Sequence, residues 1–193
     1  KHLMTTVAAG VLGGALVFTG CSTGGDQDQG TPSTTSQHEG HGSSSDSGGM
    51  EHPMDGGPAP EGIESAASPT YPVGTEVTLT ADHMEGMDGA NAMIAGAYDT
   101  YTYAVDFTPS AGGEPVKDHK WVVQQEIKDA GDERLADGTE VTLEAEHMEG
   151  MKGAKATIAS STEETVYMVD YESDGMTMTN HKWVVESELK PAS

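Results

Sequence analysis

Apolar and polar residues alternate with period two over most of the chain after Tyr71, the mark of half-buried strands. Val77, Leu79 and Ala81 share one face of 76–81, and Ala90, Ala92 and Ile94 share one face of 90–95. Tyr101, Tyr103, Val105 and Phe107 share one face of 101–107. His119 to Val123 reads as a further strand, and Gln124 to Ile127 closes the unit. The same order then returns. Residues 138–171 align with 74–107 without a gap and are identical at 20 of 34 positions, and His181-Lys182-Trp183-Val184-Val185 repeats 119–123. One fold is therefore written twice. The pattern predicts an all-β protein with two tandem small barrels, over 69–130 and 131–193. Lys128 to Asp137, rich in charge and glycine, reads as a short exposed connection.

Before Tyr71 the pattern differs. Val7 to Phe18 is an apolar run broken only by Gly and Thr, too short to span a bilayer and suited to an export signal. The segment ends Phe18-Thr19-Gly20-Cys21-Ser22. This resembles the lipobox of bacterial lipoproteins, with Gly20 at the small position and Phe18 where leucine is usual. The expectation is a signal over 1–20, cleavage before Cys21, and a lipid on that cysteine that anchors the protein to the membrane outside the cytoplasm. An ordinary secreted protein with a free thiol is the alternative. Residues 21–68 are rich in Ser, Gly, Thr, Asp, Gln and Pro, and are expected to be a disordered tether.

Charge and motif content narrow the functional classes. The formal charge is −23, from 9 Lys+Arg against 32 Asp+Glu. Such a chain lacks the clustered cations that phosphate backbones require, so nucleic acid is not an expected partner. Cys21 is the single cysteine, which excludes an intrachain disulfide. No nucleophile elbow, His-Glu-x-x-His helix or phosphate loop occurs, and we expect no enzymatic activity.

The candidate chemistry is metal binding. The loop His83-Met84-Glu85-Gly86-Met87-Asp88-Gly89 returns 64 residues later as His147-Met148-Glu149-Gly150-Met151-Lys152-Gly153. His119 and His181 open the last strands of the two copies. If those strands return beside the first loops, each copy gathers imidazoles and two thioethers, a soft set suited to copper. The candidate ligands are therefore His83, Met84, Met87 and His119 in copy one, and His147, Met148, Met151 and His181 in copy two. His38, His41, Met50, His52 and Met54 are secondary candidates in the tether. The competing reading gives Met87 and Met151 to packing at a barrel end, and makes His119 a half-buried residue with a satisfied hydrogen bond.

The order of valine strand, Gly-x-x-Gly loop, tyrosine strand and tryptophan strand is similar to the SH3-like barrels of the KOW type. With His-Met-x-Gly-Met-x-Gly-Ala early and His-Lys-Trp-Val late in both copies, residues 71–190 resemble the YdhK-type bacterial lipoproteins, whose duplicated domain is of unknown function. The resemblance implies the fold, a surface location and a loose association with copper, and it implies no reaction. A non-catalytic cell-wall or protein-interaction module is the alternative function, with Tyr98, Tyr101 and Tyr171 as aromatic candidates.

Overall fold

A computed structural model describes residues 52–192. The expected signal, Cys21, His38, His41 and Met50 lie outside the described residues. The described residues are all-β, as the alternation predicts. In order it runs β1 (Glu64–Ser65), β2 (Glu76–Leu79), β3 (Asn91–Asp99), β4 (Thr102–Phe107) and β5 (Val116–Val123), then a 3-10 turn, η1 (Gln124–Glu126). The second half is β6 (Glu140–Thr142), β7 (Lys155–Thr162), β8 (Val166–Ser173) and β9 (Met176–Val185), then η2 (Glu186–Glu188) and β10 (Leu189–Pro191).

The strands form two sheets, and neither sheet is one copy of the repeat. One has the order β10-β2-β3-β8-β9, with β1 on β3; the other has the order β5-β4-β7-β6. In each, the front hairpin of one copy pairs with the back hairpin of the other. Ala92 lies opposite Tyr171 where β3 meets β8, and Phe107 lies opposite Ala156 where β4 meets β7. The units of packing therefore differ from the expected 69–130 and 131–193. The connections explain this. β8 and β9 are joined by Asp174-Gly175, both at positive φ (51° and 79°), which is the chemistry of a tight hairpin turn. Thr100-Tyr101 and Glu163-Glu164-Thr165, which follow β3 and β7, carry no such residues. There the chain does not double back, and passes into the other sheet.

Three cores result. The first joins Val77, Leu79, Met87 and Ile94 of copy one to Tyr167, Val169, Tyr171 and Leu189 of copy two. The second joins Tyr103, Val105, Phe107 and Val122 of copy one to Leu143, Met151 and Ile158 of copy two. The third holds Trp121, Val123, Trp183, Val185 and Met168, with Ala59, Ile63 and Tyr98 packed on it. Each 3-10 turn carries the chain from one edge of a sheet to the opposite edge. After η2, β10 pairs with β2; after η1, Ile127 bridges Leu143.

The expected tether is ordered from at least His52. Asp55 forms a parallel bridge with Thr179, β1 pairs with β3, and Ala59 and Ile63 reach the third core. Ile63, the lone large aliphatic residue of the polar stretch, supplies the burial that fixes this segment.

Candidate functional site: a histidine cluster shared by the two copies

The first loops fold sharply. Met87 donates its N–H to the Met84 carbonyl, Ala90 donates to Met87, and Gly89 donates to Leu79. Copy two repeats this at Met151, Ala154 and Gly153. The fold-back sends the second methionine of each loop beneath its sheet. Met87 and Met151 are wholly buried in the first and second cores. They are packing residues there, a correction to their expected role as ligands. The first residues of the loops stay at the rim.

Bulges aim the late histidines. Asp118 and Asn180 both sit at φ 50°, immediately before His119 and His181. Asp and Asn tolerate that left-handed conformation better than most residues. The N–H of Asp118 donates to Asp106 Oδ1 at 2.8 Å, and the N–H of Asn180 donates to Asp170 Oδ1 at 2.7 Å. The pairing register shifts at both places, and such shifts re-aim the side chains that follow.

Because the hairpins are exchanged, the histidines meet across copies. The His119 ring centroid lies 6.1 Å from that of His147, and 6.4 Å from that of His52, with which it is stacked at 12°. One cavity of about 530 Å³ is lined by His52, His83, Met84, His119, Met148 and His181 together, so His83 and His119 share it, and His147 and His181 border a second hollow with His52. Met84 also accepts a hydrogen bond from the Tyr171 hydroxyl at Sδ (3.8 Å), and His181 packs edge-on against the Tyr171 ring. Met148 is 7% exposed and packs on the second core. Met54, 52% exposed, is not brought in.

Two carboxylates, Glu126 buried and Glu188 partly buried, hold the cluster, and sequence reasoning missed both. Glu126 Oε1 bonds His147 Nε2 at 2.8 Å, while Glu126 Oε2 accepts from Trp183 Nε1 (2.9 Å) and from the Val123 N–H (3.2 Å). Glu188 does the same for copy one. Its Oε1 bonds His83 Nε2 at 2.7 Å, and its Oε2 accepts from Trp121 Nε1 (2.9 Å) and the Val185 N–H (3.1 Å). Burial pushes both carboxyls up, but the histidine charges and these donors outweigh it and hold both below the usual range. The signal that could have found them is positional. Each glutamate follows its tryptophan by five residues in both copies.

An ionised carboxylate only accepts, so the Nε2 atoms of His83 and His147 carry a proton, and each Nδ1 offers a lone pair only while its ring is neutral. Four buried side-chain polar atoms lack a hydrogen-bond partner among the described residues. Three of them are His83 Nδ1, His147 Nδ1 and His119 Nε2. Burial and then the neighbouring histidines push His119 and His181 down to about 3. Both rings are neutral at ordinary pH and able to donate lone pairs. Among the described residues no three His, Cys, Asp or Glu side chains are arranged to hold an ion. Two imidazoles bound at about 2 Å to one ion bring their centroids within roughly 6 Å. His119 and His147 stand at the edge of that range, so an ion held here would draw on two imidazoles and thioether sulfur. The donor types fit a soft cation.

A model of the protein family of unknown function DUF1541 matches residues 73–124 and again 137–186, one match for each copy. The chain belongs to the DUF1541 family. It is 47% identical over 184 residues to the uncharacterized protein YdhK of Bacillus subtilis (strain 168), covering 94% of this chain and 87% of YdhK. It is similar to the crystal structure of that DUF1541 protein, with a TM-score of 0.69 and 52% identity over 70% of this chain and 94% of the other. The solution structure of the YdhK C-terminal domain gives a TM-score of 0.60 at 55% identity, covering 62% and 92%. The DUF1541 matches begin after His52, so the strap that carries His52 lies outside the duplicated unit.

Proposed function

We propose that this DUF1541 protein is a lipid-anchored, extracytoplasmic, non-catalytic protein that binds or sequesters copper, and that the histidine cluster is its site. The observation that carries this reading is the set of three buried imidazole nitrogens without partners, two of them on rings oriented by carboxylates. Leaving a buried polar atom unpaired costs about 1–3 kcal/mol, a cost that a bound ion would remove. Met84 and Met148, which line the cavity beside His83 and His119, supply the soft sulfur that favours Cu(I). The two copies contribute to one shared site, so the expected stoichiometry at the cluster is one ion per chain.

Anaerobic titration of Cu(I) against a chromophoric competitor tests this. The expected Kd is tighter than about 1 μM, or about −8 kcal/mol. His119→Phe is the informative variant. It removes an unpartnered nitrogen and retains a ring beside Phe107, so the fold should hold while Cu(I) affinity falls. Equal affinity in wild type and variant would sink the assignment. Retention on purified cell wall without metal would favour a wall-binding module instead. For the anchor, Cys21→Ala should release the protein into the medium, and membrane retention of the variant would refute lipidation.

A further inference from the structure

The repeat gives the molecule two matching grooves, each between an early loop and a late strand. That of copy two, about 640 Å³, lies between Glu144 to His147 and the His181-Lys182 step of β9. That of copy one, about 530 Å³, lies between Asp82 to Glu85 and the Val116 to Lys120 stretch of β5. The first is walled by the chain itself, because residues 52–60 run as a strap along the outer edge of β9. Thr179 donates its N–H to the Met54 carbonyl at 2.8 Å, and Gly56 donates to the Thr179 carbonyl at 2.9 Å. Asp55 Oδ1 accepts from Asn180 Nδ2 at 3.0 Å and from the Gly57 N–H at 2.8 Å. Gly56 leaves no room for a side chain, because a Cβ there would run into the Asn180 carbonyl oxygen. β5 carries the same bulge without the strap. Lys117-Asp118 stands where Thr179-Asn180 stands, and Asp118 and Asn180 share φ 50°. β5 is the outer strand of its sheet, and among the described residues nothing pairs with its free edge. The Lys117 and Asp118 side chains are 71% and 65% exposed, whereas Thr179 and Asn180 are half-buried. From the strap, only His52 reaches this groove, at its inner end beside His119.

We infer that the groove of copy one is a docking site for an extended segment of a partner protein, which adds to the edge of β5 as the strap adds to β9. This does not rest on the metal-binding reading. A bare strand edge offers unpaired N–H and C=O groups to another extended chain. The strap shows, within this molecule, which backbone fits such a bulged edge. The side chains say how the partner segment differs from it. Asn180 donates to the Asp55 carboxylate, whereas the Asp118 carboxylate in the same place only accepts. A second aspartate would meet Asp118 as a like charge, and Asp82 and Glu85 on the facing loop add to the repulsion. The lysines of the groove do not offset this. Lys117 is paired with Asp106 at 2.8 Å, Lys120 lies 4.0 Å from Asp118 itself, and Lys182 borders both grooves alike. Asparagine meets both demands of the position. Its Nδ2 donates to Asp118, and its Oδ1 keeps the turn bond to the N–H two residues on, as Asp55 does with Gly57. The next residue must be glycine, for the reason that Gly56 is. The partner is therefore a segment that presents Asn-Gly in an extended stretch without acidic neighbours.

The test is NMR of the full 15N-labelled chain in chelator, so that the result is independent of any metal. Two synthetic peptides are titrated, one with the sequence of residues 52–58 and one with the same sequence and Asp55→Asn. Before peptide is added, the Lys117 amide should exchange with solvent at least about tenfold faster than the Thr179 amide, which is bonded to the strap. The Asn peptide is expected to shift the resonances of Lys117, Asp118 and residues 82–85 and to slow exchange at Lys117. It should bind about tenfold tighter than the Asp peptide, the worth of one hydrogen bond. Asp118→Asn rebuilds the edge of β9 on β5, and asparagine already occupies φ 50° at position 180, so the fold should hold. In that variant the preference should pass to the Asp peptide. Shifts that map away from the groove or fail to saturate by about 5 mM peptide would overturn the proposal. So would the same preference in both proteins. A Lys117 amide protected before any peptide is added would overturn it too, since the groove would then be filled by a second copy or by other residues of this chain.

Discussion

Replacing Glu126 tests the buried scaffold of the cluster. Its side chain is 7% exposed and its two oxygens accept from His147 Nε2, Trp183 Nε1 and the Val123 N–H. Glu126→Ala strands three buried donors at once. Removing one partner of a buried, hydrogen-bonded ion pair costs about 3–5 kcal/mol. In a domain of this size that lowers the melting temperature by about 10–15 °C. Glu188→Ala should cost less, because that side chain is 16% exposed and water can reach the stranded groups. Glu126→Gln separates fold from site. Trp183 and Val123 can only donate, so the glutamine oxygen must turn to them and its NH2 must face His147 Nε2. That nitrogen then has to accept, which moves the imidazole proton to Nδ1. The fold keeps its bonds at a cost of about 1–2 kcal/mol, and the free lone pair at Nδ1 is lost. Denaturant titration gives the stability, and 15N NMR of the metal-free imidazoles gives the tautomer. Wild-type stability in Glu126→Ala, or an Nε2-protonated His147 in Glu126→Gln, would refute the reasoning.

Three further outcomes are expected. A fragment of residues 69–130 alone should not fold as a monomer, since its two hairpins belong to different sheets; light scattering and circular dichroism check this, and mixing with 131–193 should restore structure. Gly86→Ala should destabilise by about 1–2 kcal/mol, because Gly86 sits at φ 76° and an added Cβ would strike the Ser173 hydroxyl of the other copy; an unchanged denaturant midpoint would count against the interlocked packing. Acid should weaken the metal-free fold early. His119 and His181 are pushed down to about 3, so their contribution is complete above the ordinary histidine value of 6.5 and is lost as pH falls toward 3. The slope is about 1.4 kcal/mol per pH unit for each group; stability measured in chelator from pH 7 to 4 should show it, and His119→Phe should flatten it.

The positions of the strands and the duplication were legible because alternation reports which face is buried. Alternation does not report the neighbour, so the exchange of hairpins was not read from it. The turn chemistry did carry that information, in the contrast between Asp174-Gly175 and Glu163-Glu164. At the site, the recurrent His-Met loops pointed to the right surface. Met87 and Met151 were misplaced because their burial follows from the glycine fold-back, a three-dimensional event. Glu126 and Glu188 were hidden among 32 acidic residues, where a buried carboxylate looks like any solvated one. His52 was assigned to a tether because its docking depends on β9, more than a hundred residues away.

The exchange of hairpins also governs the order in which the molecule can be completed. β2, near the start of the body, finds its outer neighbour in Leu189–Pro191, at the far end of the chain. A polypeptide emerging amino end first therefore exposes β2, unpaired on that side, until Leu189–Pro191 has appeared. Contacts of such long sequence separation make folding slow. A chain threaded through a narrow translocation pore would stay supple until Leu189–Pro191 had passed, and the histidine cluster would be complete only once Glu188 had come through.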